Sequence, residues 1–175
     1  QNVRSDLLHF DHFNRSAGWD TQSVEDFRDY LRNTFRPSRL SQEGIENVNQ
    51  VMPPTQESPR LLRYAWDAFR CQYLARSYGD ISQRARSLRH DVLVECNPSG
   101  LRRHIVPPVD HSRLLKWGDA FWDEHHRPLG FNDGQLVSRI RTYKFGRMMH
   151  NTSFTYTTTP LELAESMAFN RDCLG

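Results

Sequence analysis

Four short apolar runs in this chain each end in side chains that can hold or move a proton. Leu7-Leu8 leads to His9, Asp11 and His12, and Val92-Leu93-Val94 leads to Glu95 and Asn97. Ala120-Phe121-Trp122 leads to Asp123, Glu124 and His125, and Phe154 leads to Tyr156 and Thr158. Carboxyl groups recurring at the ends of neighbouring strands can flank a bond between them, one protonating a leaving oxygen while the other attacks or activates water. Alternation along a strand puts His9 and Asp11 on one face, so both point into the pocket or neither does. Glu95 closes an apolar run, where an unpartnered carboxylate is costly, and it must therefore be functional or paired with an Arg or Lys. For Asp11 the alternative is a cap on the following loop. Of Asp123 and Glu124, one must point away from the pocket, with Glu124 the preferred acid. Trp19 and Trp122 offer flat aromatic faces for a ligand or for packing, and Asn97 and His125 offer donors for hydroxyl groups.

The elements that would place these groups follow from hydrophobic spacing. Asp6–Asp11 reads as a strand, followed by a helix with Ser23 as N-cap, Asp26 at the capping-box distance, and Val24, Phe27, Tyr30 and Leu31 on one side. Prolines at 37, 53, 54 and 59 mark a long excursion. A helix then runs from about Arg60 to Arg89, as one element or as two joined near Gly79. Asp91–Cys96 is continuous and β-branched, the pattern of a buried parallel strand. Gly118–Asp123 and Thr152–Thr157 read as further strands. Between them a helix is expected to open at Asp133-Gly134, and another starts at Pro160. Strands alternating with helices through crossovers longer than a dozen residues give parallel βαβ units. With no Gly-rich phosphate turn after any strand and polar groups at every strand end, the expectation is α/β: four consecutive units of a (β/α)8 TIM barrel, whose active site lies on that face.

Composition narrows the function. The chain has 175 residues, 37% hydrophobic and 11% aromatic, with 23 Lys and Arg against 21 Asp and Glu, a net charge of +2. The charges are interspersed, so no surface for nucleic acid is advertised. No apolar run approaches the ~20 residues of a membrane-spanning helix. The three cysteines, Cys71, Cys96 and Cys173, have no metal spacing and read as free thiols. A barrel usually takes about 250 residues, so residues 1–175 are expected to be a single partial domain, truncated at both ends.

The strings "DLLHFDHF", "FRDYLRNTF", "DVLVECNPSG", "KWGDAFWDEHH", "SRIRTYKFGRMMHN" and "LAESMAFNRDCLG" together resemble the central part of glycoside-hydrolase-like TIM barrels. These are bacterial carbohydrate-active proteins distantly similar to the α-galactosidase and α-amylase groups. The resemblance implies that the strands are the fourth to seventh of the barrel. It implies Asp11 as nucleophile or base, since both groups carry an Asp at the end of the fourth strand. The acid maps onto Asp123 or Glu124 by the first group and onto Glu95 by the second. An oligosaccharide or polysaccharide substrate is implied, with no cofactor and no metal. His9, His12, Trp19, Asn97, Trp122, Asp123 and His125 are then expected around the substrate.

Two rival readings use the same residues. His9, His12, Glu95, His125 and His126 have the right donors for a metal-dependent barrel hydrolase, although "HFDH" puts Phe where a second ligand belongs. A barrel that binds carbohydrate without turnover is the other. The base-rich helix "SRIRTYKFGR" reads as a solvated, partly packed face.

Overall fold

The computed structural model describes residues 5–98, 101, 105–124 and 129–169. Its elements in chain order are β1 (Leu7–Phe10), α1 (Thr21–Thr34), α2 (Pro37–Gln42), a 3-10 turn (Val48–Gln50), α3 (Arg60–Leu88) and β2 (Leu93–Cys96). There follow β3 (Ile105–Val106), β4 (Val109–Asp110), α4 (His111–Leu114), β5 (Ala120–Asp123), β6 (Gly130–Asn132), β7 (Gln135–Val137), α5 (Ile140–Met148), β8 (Thr152–Thr155) and α6 (Pro160–Phe169).

β1, β2, β5 and β8 form one parallel sheet in that order, so each strand reached after a helical crossover lies beside the one it left. The architecture is mixed α/β. The register puts His9 opposite Glu95, Glu95 opposite Ala120, Ala120 opposite Thr152, and Trp122 opposite Phe154. Alternation then assigns the faces. Val94, Cys96 and Phe121 point to the helices and pack with Leu74 and Tyr78 of α3 and with Leu114 and Leu115. His9, Glu95, Trp122 and Phe154 point the other way.

A second core lies away from the sheet, where Phe27 and Leu31 of α1 meet Trp66 and Phe69 of α3. The Phe27 and Trp66 rings cross edge to face at 4.8 Å. Because α3 serves both cores, its buried residues do not follow a single stripe, and it continues unbroken through Gly79. A Cβ there would lie 2.9 Å from the Trp117 indole, so this glycine lets the ring lie on the helix.

Several local expectations are corrected. The N-cap of α1 is Asp20, not Ser23: its carboxylate accepts from the Ser23 amide at 2.9 Å and the Ser23 hydroxyl at 2.5 Å. A carboxylate one turn earlier outcompetes the serine for the free amides. Asp133-Gly134 opens no helix. It is the two-residue turn of the β6–β7 hairpin, with φ of 51° and 74°, the Asp-Gly pairing that a tight hairpin favours. The excursion after Arg36 contains α2, begun at Pro37. Arg139, expected on a solvated face, is only 4% exposed. Cys71 and Cys96 are buried and free; Cys173 lies outside the described residues.

Candidate functional site

The open face of the sheet ends in a cavity of about 380 Å³ at the C-terminal ends of the strands. His9 and Asp11 line it from β1, and Glu95 and Asn97 from β2. Trp122 and Glu124 come from β5, and Tyr156 from the residue after β8's terminal Thr155. The ends of β1, β2 and β5 thus each contribute two residues two apart, the period that keeps them on one face.

Asp11 sits where β1 gives way to a turn whose next residue, His12, has a φ of 50°. Backbone bonds carry the β1–β2 pairing past the strand ends, from Asn97 to the Phe10 carbonyl at 2.9 Å and from Phe13 to the Asn97 carbonyl at 2.8 Å. This brings the Asn97 amide within 2.9 Å of Asp11 Oδ1, which also accepts from the His12 backbone at 2.9 Å. The Asn97 hydrogen bond is the main reason that the Asp11 carboxyl lies below its ordinary value, and the His12 and His9 rings add to it. Asp11 is therefore a half-open, ionised carboxylate.

Glu95 has the opposite setting. Its side chain is 4% exposed, and burial raises its pKa against the opposing effect of the His9 hydrogen bond. His9 Nδ1 lies 2.8 Å from Glu95 Oε2, while His9 Nε2 lies 3.8 Å from Asp11 Oδ1. The predicted alternative of an Arg or Lys partner for Glu95 does not hold; its partner is His9. The Glu95 Oε1 atom is buried without a hydrogen bond.

Across the cavity, the Tyr156 hydroxyl donates to Glu124 Oε1 at 3.4 Å. Trp122 stacks on Phe154 with centroids 5.9 Å apart and meets Tyr156 edge to face at 5.3 Å, forming an aromatic wall. The Tyr156 backbone is tied down by Arg139, which donates to its carbonyl and to Glu162 Oε1. Glu162 in turn accepts from the Thr158 and Thr159 amides at 2.8 and 3.0 Å, joining the strand end to α6.

Three expected site residues are placed elsewhere. Asp123 faces the helix layer, 1% exposed, and accepts from the Thr142 hydroxyl and the Leu101 amide. The strand phase that turns Trp122 and Glu124 to the cavity turns it away. Trp19 stands 61% exposed in the loop before α1 and does not line the cavity. His12 is held outside by its left-handed backbone, its ring exposed and 3.6 Å from Asp11 Oδ2. His125 and His126 lie outside the described residues. Tyr156, expected at its strand end though not as a substrate contact, lines the cavity, in keeping with the spacing Thr152, Phe154, Tyr156.

Among the described residues, no group of three or more His, Cys, Asp or Glu side chains is placed to hold a metal ion. No helix among them is long and apolar enough to cross a membrane. Comparison with protein-family models finds none that matches the chain, and a search of curated proteins finds no match. The arrangement itself offers acid–base chemistry. Two neighbouring carboxyls have their pKa values pushed apart, a third faces them, and an aromatic wall runs alongside.

Proposed function

We propose that the chain is part of a (β/α)8 barrel that hydrolyses glycosidic bonds, with an oligosaccharide or polysaccharide in the cavity at the strand ends. The observation that carries the reading is the convergence of Asp11 and Glu124 with Trp122 in one cavity. Support for the barrel is the strand order, which never reverses as it does in a doubly wound sheet, and the site at the C-terminal strand ends.

In this mechanism Asp11 supplies the negative charge and Glu124 protonates the leaving oxygen. Asp11 and Glu124 stand on strands separated by one other, so their backbones are about 10 Å apart at two strand spacings. That is enough for a sugar ring and a scissile bond between the carboxyls. Trp122 would carry the ring on its face, where axial C–H groups meet the π surface, and Asn97 keeps Asp11 ionised through its amide.

The test is hydrolysis of a panel of aryl glycosides and oligosaccharides by the full chain and by Asp11→Asn. We expect turnover by the wild type and a loss of at least about 100-fold in the variant, the range for removing a positioned base. Undiminished hydrolysis by Asp11→Asn removes Asp11 from the mechanism. Saturable sugar binding without turnover in the wild type would make the cavity a binding site only.

A further inference from the structure

The glycosidase reading gives no task to His9 or Glu95, although their side chains lie 2.8 Å apart in the cavity. Resting on that reading, we propose that Glu95 and His9 form a dyad that presents His9 Nε2 as a second base beside Asp11. The attacking water is held between His9 and Asp11, and cleavage proceeds with inversion.

Distances carry the argument. His9 Nδ1 and Glu95 Oε2 are 2.8 Å apart, a full hydrogen bond, whereas His9 Nε2 and Asp11 Oδ1 are 3.8 Å apart, too far for one. A polar gap of that size is where a bridging water belongs, since one oxygen can bond both atoms at ordinary length. Glu95 is too buried to meet a substrate itself, at 4% side-chain exposure, while the His9 ring is 43% exposed and lines the cavity. When Nδ1–H is donated to the Glu95 carboxylate, the tautomer is fixed and Nε2 carries the lone pair, the logic by which a buried acid orients a catalytic imidazole. Glu95 is then a positioning residue and His9 a catalytic one.

The step balances. The water oxygen bonds the anomeric carbon as the bond to the leaving oxygen breaks, the water proton passes to His9 Nε2 or Asp11, and Glu124 gives its proton to the leaving oxygen. A water on one side and an acid on the other need more room than a covalent sugar ester. Inverting pairs stand roughly 6.5 to 9.5 Å apart and retaining pairs about 5 to 5.5 Å. Asp11 and Glu124 stand two strand spacings apart, about 10 Å at the backbone, and the water held at His9 and Asp11 is what assigns the reaction to the inverting class.

The titratable groups facing His9 are Asp11 on its own strand, Glu95 on β2, and Glu124 and Tyr156 across the cavity. Burial raises the Glu95 carboxyl. As the pH falls through that raised value, the dyad takes up one proton: Glu95 becomes the hydrogen-bond donor to Nδ1, the ring's own hydrogen is carried on Nε2 instead, and the base is lost.

The experiment uses the full chain. Long-range 1H–15N correlation should show neutral His9 protonated at Nδ1; the Nε2–H tautomer at neutral pH overturns the dyad. Proton NMR of the first-formed sugar from an aryl glycoside should show inversion; retention, or trapping of a sugar on Asp11, overturns the proposal while leaving the glycosidase reading intact. His9→Asn should lower kcat roughly 100-fold with KM within about threefold. In His9→Ala, added imidazole should restore part of the rate, and wild-type kcat in either variant overturns the proposal. Glu95→Gln should move the acid limb of the kcat/KM profile to lower pH, and an unmoved limb excludes Glu95 from it. Failure of the wild type to cleave any glycoside removes the reading and this proposal together.

Discussion

The two faces of the parallel sheet are built from the same four strands, yet they treat polar groups in opposite ways. On the covered face Val94, Cys96 and Phe121 are buried under α3 and α4, and a carboxylate there, Asp123, is satisfied by Thr142 and Leu101. Burial, with a smaller push from the Glu95 charge, raises the Cys96 thiol to about 12, which makes it inert near neutral pH. On the open face Leu7 and Leu93 remain exposed, and the carboxyls of Asp11, Glu95 and Glu124 face a cavity. Parallel sheets are normally covered on both faces. Among the described residues only one face is covered here, and the cavity with its carboxyls lies on the other. Core side chains alternate with cavity-lining ones along β5, so a single strand fills the core with Phe121 and walls the cavity with Trp122.

The largest expected effect separates those two neighbours. Phe121→Ala should lower unfolding free energy by about 3–5 kcal/mol, because it empties a position that is 1% exposed at the centre of the covered core. Trp122→Ala should cost less stability and instead weaken sugar binding roughly 2- to 12-fold, the worth of one aromatic face. Urea melts and a sugar titration on both variants check the pair; equal destabilisation would break the contrast between the faces. A smaller effect separates Asp123 from Glu124. Asp123→Asn turns an acceptor into a donor against Thr142 or Leu101 and should cost about 1–3 kcal/mol. Glu124→Gln should leave stability within about 0.5 kcal/mol and lower kcat by about 100-fold or more. Loss of activity in Asp123→Asn with full stability would reverse the assignment of the two carboxyls.

That reversal is what sequence could not decide. Adjacent Asp123 and Glu124 differ only by strand phase, and phase is set by pairing with β2 and β8, a long-range property. His9 with Asp11, and Glu95 with Asn97, were legible because each pair is two apart at the end of an apolar run. Their mutual contact was not, since it depends on the β1–β2 register across more than eighty residues. Asp133-Gly134 followed by Leu136, Val137 and Ile140 satisfies a helical spacing locally, but the positive-φ turn wins and the helix waits until Ile140. Arg139 looked solvated in a basic segment; a buried carboxylate twenty-three residues later, Glu162, draws it inward. Trp19 has the composition of a sugar platform without the position, standing before α1 rather than at the cavity.

The smallest effect lies within the open face, between two of its carboxyls, Asp11 and Glu95. The pKa of Asp11 is lowered by folding, so the stability it contributes is present above its unfolded value and is lost as the pH falls through the lowered one. Glu95 is raised, chiefly by burial, so the folded chain binds its proton more tightly than the unfolded chain does. Its contribution is favourable at low pH and is lost as the pH rises from the unfolded value through the raised one. The two slopes have opposite signs and fall in successive windows: Asp11 makes stability rise with pH up to its ordinary value of 3.8, and Glu95 makes it fall with pH above its ordinary value of 4.5. Glu95→Gln removes only the second slope. Its Tm relative to wild type should therefore rise between pH 4 and pH 7, even as its pH–rate profile changes, the exchange of stability for activity expected of a buried functional group. Calorimetry of both proteins across that range checks it. A Tm difference that stays constant with pH would mean that Glu95 keeps one protonation state throughout, and the contrast between a buried acid and an ionised neighbour would go with it.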